Sequence, residues 1–467
     1  MRTLLLRFGM TWLCFVTSLS LAQDIAEIPG AVRDKVETLI QRGLDDTTGY
    51  AFVQGLTTEV GPRLAGSEAE ERARDWATRE LAELGFENVR TEPFMIPYWS
   101  RRVDQASIVS PAPQSLVITA LGGSTSTPPD GVEAEVVRFE SMNELNAASS
   151  DVVTGKIVFI DEKMTRTQDG SGYGMAVRKR RNCATATSDK GGLACLIRSV
   201  GTQARRFAHT GMMARGAAVG AGPAAALAPP DAEQLTRLLE IGPVKVRVDI
   251  QVETQAEAPS GNVIAEIVGR ARPEEIVLIG CHLDSWDLGT GAIDDGTGCG
   301  IVVGAAHLIA TLDEAPKRTI RVVLYGAEEV GLLGGFAYAK RHADELDQHI
   351  LAAESDFGAD KIWRFETRFG DGALPYARAI QKVLEPLGIA RGHNLASGGP
   401  DISMLPMLGV PVVTPRQNGW DYFDLHHTPD DTFDKIDPDK LNQNIATYAA
   451  FAYLAAEMEW DFRQSAK

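Results

Sequence analysis

From Pro259-Ser260-Gly261 onward the chain alternates short apolar runs with helical stretches. Val263-Ile264-Ala265-Glu266-Ile267, Ile276-Val277-Leu278-Ile279 and Ile320-Arg321-Val322-Val323-Leu324 read as strands, and residues 297–312 and 441–458 as helices. Strands separated by helices cannot pair as hairpins, so the pattern commits this half of the chain to an α/β sheet with helices on its faces.

The first part of the chain has a different texture. Val32, Val36, Leu39 and Ile40 recur at helical spacing, as do Ala73, Trp76, Ala77, Leu81 and Leu84, with Gly61-Pro62-Arg63 and Gly66-Ser67 marking a loop between them. Residues 107–121 read as strands and 122–131 as a linker. Residues 132–252 then form a block of their own. Ala134-Glu135-Val136-Val137, Lys156-Ile157-Val158-Phe159-Ile160 and Lys245-Val246-Arg247-Val248 are β-rich, a helical piece ends in Ala194-Cys195-Leu196-Ile197, and the Ala/Gly/Pro-rich residues 217–230 read as a loop. The expected organisation is therefore a leader over 1–22, an α/β domain in two segments (23–130 and 257–467), and a smaller β-rich domain inserted at 131–256. A chain of 467 residues is long enough for two or three such cores.

The leader is read from Arg2 and Arg7 ahead of an apolar stretch from Phe8 to Leu21, followed by Ser20-Leu21-Ala22 as a cleavage site. That stretch falls short of the roughly 20 residues of a membrane helix and fits a secretory signal, so the mature chain is expected to be secreted or periplasmic. Five cysteines then become four: Cys183, Cys195, Cys281 and Cys299. An oxidising compartment permits a Cys183–Cys195 disulfide within the inserted block, while Cys281 and Cys299 are expected to be buried and free. The formal net charge of -17 repels phosphate backbones and anionic lipid, which disfavours nucleic acid and membrane as partners.

The chemistry concentrates in four places. Strand 276–279 runs into Cys281-His282-Leu283-Asp284-Ser285-Trp286-Asp287, with Asp294-Asp295-Gly296 opening the next helix. Strand 320–324 ends in Ala327-Glu328-Glu329, strand 350–353 in Glu354-Ser355-Asp356, and Asp424-Leu425-His426-His427-Thr428 supplies a second imidazole. Ligands of open α/β sheets gather at the carboxyl ends of the strands. Adjacent buried carboxylates are costly unless cations balance them. Two imidazoles and three carboxylates suit two zinc ions, with Asp294 able to bridge them and Asp284 placed to accept the second N–H of His282.

These motifs, H-L-D-S-W-D with D-D-G, A-E-E, E-S-D and H-H-T-x-x-D-T, resemble those of the co-catalytic zinc exopeptidases, a family that includes bacterial aminopeptidases and glutamate carboxypeptidases. Val60-Gly61-Pro62-Arg63-Leu64, Leu196-Ile197-Arg198-Ser199-Val200 and His209-Thr210-Gly211 extend the likeness over nearly the whole mature chain. The resemblance implies a protease-associated domain as the insertion and two zinc ions per chain. It implies that His282 and Asp356 hold one ion, Glu329 and His427 the other, that Asp294 bridges, and that Glu328 is the general base; Asp284, through its expected hold on His282, is counted with Glu328 among the catalytic residues. His427 rather than His426 is favoured because the ligand directly precedes Thr428. Neighbours in an extended segment point to opposite sides, which leaves His426 to the substrate pocket.

His209 and Asp401 are the other pocket candidates. Many relatives carry Ser-Asp-His-x-x-Phe where this chain reads Pro400-Asp401-Ile402-Ser403-Met404-Leu405, without the histidine. The resemblance spans aminopeptidases, carboxypeptidases and dipeptidases, and on the same scaffold one-zinc glutaminyl cyclases and metal-free transferrin receptors. Retention of every ligand and of Glu328 favours a two-zinc peptidase acting on short peptides, either as a carboxypeptidase or dipeptidase or as an aminopeptidase. A homodimer is compatible with this reading.

Overall fold

The structure is a computed structural model that describes residues 25–213 and 221–465. The expected leader and Cys14 lie outside the described residues. The strands in chain order are β1 (Glu87–Ser110), β2 (Gln114–Leu116), β3 (Ile118–Ala120), β4 (Val132–Phe139), β5 (Ile157–Ile160), β6 (Ala194–Arg198), β7 (Ala224–Leu227) and β8 (Lys245–Ile267). They continue as β9 (Arg272–His282), β10 (Arg318–Tyr325), β11 (His349–Glu354), β12 (Ile362–Arg368), β13 (Ala390–Arg391) and β14 (Val412–Gln417).

Together they form a mixed, 14-stranded sheet in the order β13-β12-β14-β11-β9-β10-β8-β4-β5-β6-β7-β3, with β1 pairing β8 and β2 pairing β1. β10, β9, β11 and β14 run parallel, as do β4, β5, β6 and β7. β8 joins the two groups. Its end pairs antiparallel with β10 through residues 263–267, its start pairs antiparallel with β4 through residues 245–248, and β1 lies along its other edge for nearly its whole length.

Each group is sandwiched between layers, and the alternation of side chains explains why its strands read as continuous apolar runs. Val277, Ile279, Val322, Leu324, Leu351 and Ala353 enter one core with helices Thr297–Ala310 and Pro438–Glu457. Ile276, Leu278, Val323 and Ala352 enter another on the opposite face. In the inserted group Ile157, Phe159 and Leu196 face one core, while Val158, Ile160 and Ile197 face the other. Helix Pro438–Glu457 is started by Asp437, whose carboxylate accepts the amides of Asp439 and Lys440, with Pro438 at the first position where no N–H is needed.

The inserted block differs from its expected outline. Ile118–Ala120, read as lying before the block, pairs with β7 inside it, and Leu116 and Ile118 belong to its core. Ala194–Arg198 is a strand rather than the end of a helix, and the loop expected over 217–230 contains β7 and starts helix Pro229–Ile241. Small residues such as Ala224-Ala225-Ala226 carry no strand signal of their own; the ladder with β6 imposes it. Helix Ser171–Asp189 also makes the block α/β rather than simply β-rich.

Two disulfides are present among the described residues. Cys183 joins helix Ser171–Asp189 to Cys195 on β6. Cys281 and Cys299 are buried but not free, which corrects the expectation. The end of β9 lies over the first turn of helix Thr297–Ala310 with the two Cα atoms 5.1 Å apart, a proximity that a separation of 18 residues conceals. Among the described residues no helix is long and apolar enough to cross a membrane.

Candidate metal centre

Parallel β9, β10 and β11 all end on the same side of the sheet, so the residues that follow them converge there. β9 ends on His282, Glu328 and Glu329 follow β10, and Asp356 follows β11. Asp294 comes from the bent segment between β9 and helix Thr297–Ala310, and His427 from the loop after β14.

The Asp294 carboxylate lies between the two imidazoles. Its Oδ1 is 3.1 Å from His282 Nε2 and its Oδ2 is 3.3 Å from His427 Nε2. Asp356 Oδ1 is 3.7 Å from His282 Nε2, and Glu329 Oε2 is 2.9 Å from His427 Nε2. The five side chains thus divide into His282 with Asp356 and His427 with Glu329, with one oxygen of Asp294 turned to each set.

Both histidines are oriented the same way. His282 Nδ1 is 2.9 Å from the main-chain oxygen of Asp284 and His427 Nδ1 is 3.1 Å from that of Thr210. A carbonyl only accepts, so Nδ1 carries the proton and Nε2 faces the acids. The partner of His282 is therefore not the Asp284 carboxylate, whose Oδ1 lies 3.8 Å away. That carboxylate accepts the amides of Glu328 and Glu329 at 2.9 and 3.2 Å, and so fixes the segment after β10.

Three residues that the sequence did not point to brace this frame through the backbone. Asp295 accepts the amides of His282 and Gly298. Asp431, within the H-H-T-x-x-D-T motif, accepts the amides of Ile293 and Asp294. Fully buried Arg63, in the Val60–Leu64 run, donates to the carbonyls of Leu283, Thr290 and Gly291.

The charges explain what the cluster can hold. Burial alone would depress His282, but Asp356, Asp294 and Asp295 outweigh it and keep the imidazole well above its ordinary value. Burial likewise opposes protonation of His427, and Glu329 with Asp294 overcomes it, raising the group to about 9. Burial would also raise Asp294, yet the three neighbouring imidazoles of His282, His427 and His426 hold it well below the carboxylate range. Burial and the Asp356, Glu329 and Asp401 carboxylates push Glu328 well up, against the pull of His282. Without cations, the cluster has to retain protons. Among the described residues Glu329 Oε1 is buried with no hydrogen-bond donor, and Asp294 Oδ2 has only the imidazoles beside it, a costly arrangement that divalent cations would relieve. Imidazole nitrogen and carboxylate oxygen in this ratio fit zinc.

The remaining candidates fall into different places. His426 lines the pocket, but not because its segment is extended. His427 has φ +61°, and the turn stacks the two rings 3.5 Å apart, so both face Asp294, with His426 Nε2 at 3.6 Å. His209 and Asp401 do not line the pocket. Buried His209 holds the His426 carbonyl through Nδ1 at 2.8 Å, and buried Asp401 accepts the Gly335 amide at 3.1 Å, behind the pocket wall made by Pro400.

The pocket over the cluster has a volume of about 640 Å³. Asp294, Glu328, Glu329 and Asp356 form its floor, and Leu332, Phe357, Tyr422 and Phe423 form apolar walls. The inserted block closes it with Tyr173, Arg180, Arg181, Met212 and Met213.

Residues 262–452 match Peptidase family M28. Carboxypeptidase Q from Bos taurus is 34% identical over 431 residues, covering 92% of this chain and 90% of the relative. The Rattus norvegicus protein of that name is 36% identical over 441 residues, covering 94% and 92%. Among solved structures, a peptidase M28 precursor from Shewanella amazonensis superposes with a TM-score of 0.91 at 50% identity, covering 94% of this chain and 99% of that one. An aminopeptidase from Aneurinibacillus shares the fold, with a TM-score of 0.64 at 21% identity over 92% of this chain and 98% of its own. The chain belongs to peptidase family M28 and is a metallopeptidase of the exopeptidase kind, related along nearly its whole length to carboxypeptidase Q.

Proposed function

We propose that the chain is a secreted two-zinc exopeptidase that removes residues from dipeptides or short peptides in the manner of a carboxypeptidase. The observation that carries this reading is the Asp294 carboxylate, turned with one oxygen toward each His-acid pair. His282, Asp356 and Asp294 would hold one ion, and His427, Glu329 and Asp294 the other. Zinc bound there supplies Lewis acidity that polarises a peptide carbonyl and makes water nucleophilic near neutral pH. Glu328 lines the pocket beside both sets, where, with cations balancing the neighbouring acids, its carboxylate can take a proton from the attacking water and return it to the leaving amine. Asp284 keeps Glu328 in place through its amide, and the apolar walls exclude bulk water from the reacting bond.

The direction of recognition rests on charge. The floor is acidic, whereas the insertion brings Arg180 and the exposed Arg181 to the wall, which favours a substrate carboxylate on that side. An aminopeptidase on the same core is the alternative reading, and the protease-associated character of the insertion belongs to the same proposal. Dipeptides with amidated carboxyl ends or acetylated amino ends, offered to the zinc-loaded protein, separate the two. Hydrolysis that survives acetylation but fails on amidation supports the carboxypeptidase reading; the opposite pattern supports the aminopeptidase.

A further inference from the structure

His209-Thr210-Gly211 stands in the inserted block, far in sequence from every acid and imidazole of the cluster, and the proposed chemistry assigns it no part. In the fold it meets the loop that carries His427 residue by residue. His209 Nδ1 holds the carbonyl of His426, and its own amide donates to Ser199 Oγ at 3.0 Å. The Thr210 amide donates to the His427 carbonyl at 3.1 Å, while the Thr210 carbonyl accepts His427 Nδ1–H at 3.1 Å. One main-chain unit therefore grips both the backbone and the side chain of the same histidine. Arg180 Nη1 lies 3.3 Å from that carbonyl and 3.4 Å from His427 Nδ1; a guanidinium only donates, so with the Nδ1–H turned to the carbonyl both groups donate to the Thr210 oxygen, and Arg101 Nη1 donates to Thr210 Oγ1 at 2.8 Å.

Two further facts show that this contact is demanding. His427 sits at φ +61°, in the left-handed region that a residue with a side chain occupies only when its surroundings hold it there. Gly211 sits at φ +131°, and a Cβ at that position would stand 2.6 Å from His427 Nδ1 and 2.3 Å from Arg180 Nη1. The close approach of the two segments therefore requires glycine.

We infer that Thr210, by its main-chain amide and carbonyl, is the positioning residue of His427, and that Gly211 leaves the space in which it does so. The insertion is then a working part of the metal centre as well as a wall of the pocket. It selects the Nδ1–H form of His427 and aims Nε2 at Glu329 and Asp294, the role that carbonyls behind metal-bound histidines perform.

The inference rests on the reading of His427 as a zinc ligand, and the two fail separately. Zinc affinity is measured by chelator competition on the full-length mature protein, its Gly211→Ala variant and its His427→Gln variant. His427→Gln should lose one of the two ions; retention of both at full affinity overturns the ligand reading itself. Gly211→Ala should keep one ion at full strength and bind the other about 10–100-fold more weakly, the range seen when an outer partner of a ligand is lost. Unchanged affinity in a folded Gly211→Ala protein, with the ion lost in His427→Gln, overturns the positioning inference alone. If Gly211→Ala does not fold, the wild-type protein decides. Its zinc-loaded form should show a slowly exchanging imidazole N–H from His427 at Nδ1 in proton–nitrogen spectra, absent in His427→Gln. A proton at Nε2, or rapid exchange at Nδ1, overturns it.

Discussion

Asp284 reaches over the cluster to hold the amides of Glu328 and Glu329, leaving the imidazole of His282 to its own main-chain oxygen. Its carboxylate thus fixes the acids after β10 rather than the histidine that ends β9. Burial, reinforced by Glu329 and Glu70 and opposed by His282, raises this carboxyl to about 7. Asp284→Asn replaces one acceptor oxygen with an NH₂ group that faces a backbone N–H. The expected result is a kcat lowered by about 10–100-fold with two zinc ions still bound. Steady-state kinetics with metal analysis checks it, and loss of the ion held by His282 would return the carboxylate to the role of imidazole partner.

Glu328→Gln removes the proton carrier while preserving shape and the amide contact to Asp284. Zinc content should be unchanged and kcat should fall by about 10²–10⁴-fold, the usual contribution of a positioned general base. A variant that loses zinc but turns over normally would mean that Glu328 and Glu329 have exchanged roles.

Asp294→Ala removes an oxygen from each His-acid pair at once. It should lower zinc content more than His427→Gln or Asp356→Ala, each of which touches one pair. Two ions retained by Asp294→Ala, counted by elemental analysis, would show that the pairs do not share this carboxylate.

Zinc affinity should depend steeply on pH. In the metal-free protein His427 titrates at about 9, because Glu329 and Asp294 outweigh its burial, so below that pH zinc must displace a proton from Nε2. Affinity for that ion should rise roughly tenfold per pH unit up to about 9 and then level. The same shift has a stability consequence. A raised folded-state value stabilises the metal-free fold fully below the ordinary 6.5 and loses that contribution as pH climbs through about 9. Thermal melts of metal-free protein should fall across that window. Proton release measured calorimetrically in buffers of different ionisation enthalpy checks the binding half.

The α/β frame and the acids and imidazoles at its strand ends were legible because β9, β10 and β11 are buried on both faces and therefore spell themselves as unbroken apolar runs. What was not legible acts through the main chain. Asp295, Asp431 and Arg63 contact amides and carbonyls, groups that every residue possesses and no motif displays. The stacking of His426 on His427 depends on a left-handed turn at a residue that is neither glycine nor asparagine, so spacing alone pointed to an extended segment. β6 and β7 escaped for a third reason: Ala194 and Cys195 become a strand because β5 offers them a parallel ladder, and Ala224-Ala225-Ala226 because β6 does. The second cysteine pair escaped because only the fold brings β9 over its following helix.

β8 serves both strand groups without a break, and β1 accompanies it across the whole span. The insertion therefore hangs from a continuous girder instead of a tether. Cutting out residues 131–256 would take the first half of β8 with them and leave residues 98–110 of β1 without their ladder partner, an open edge baring Trp99 and Ile108 of the sort that glues proteins together. The peptidase half cannot be trimmed to a minimal enzyme by deleting its guest, because the two are built on the same pair of strands.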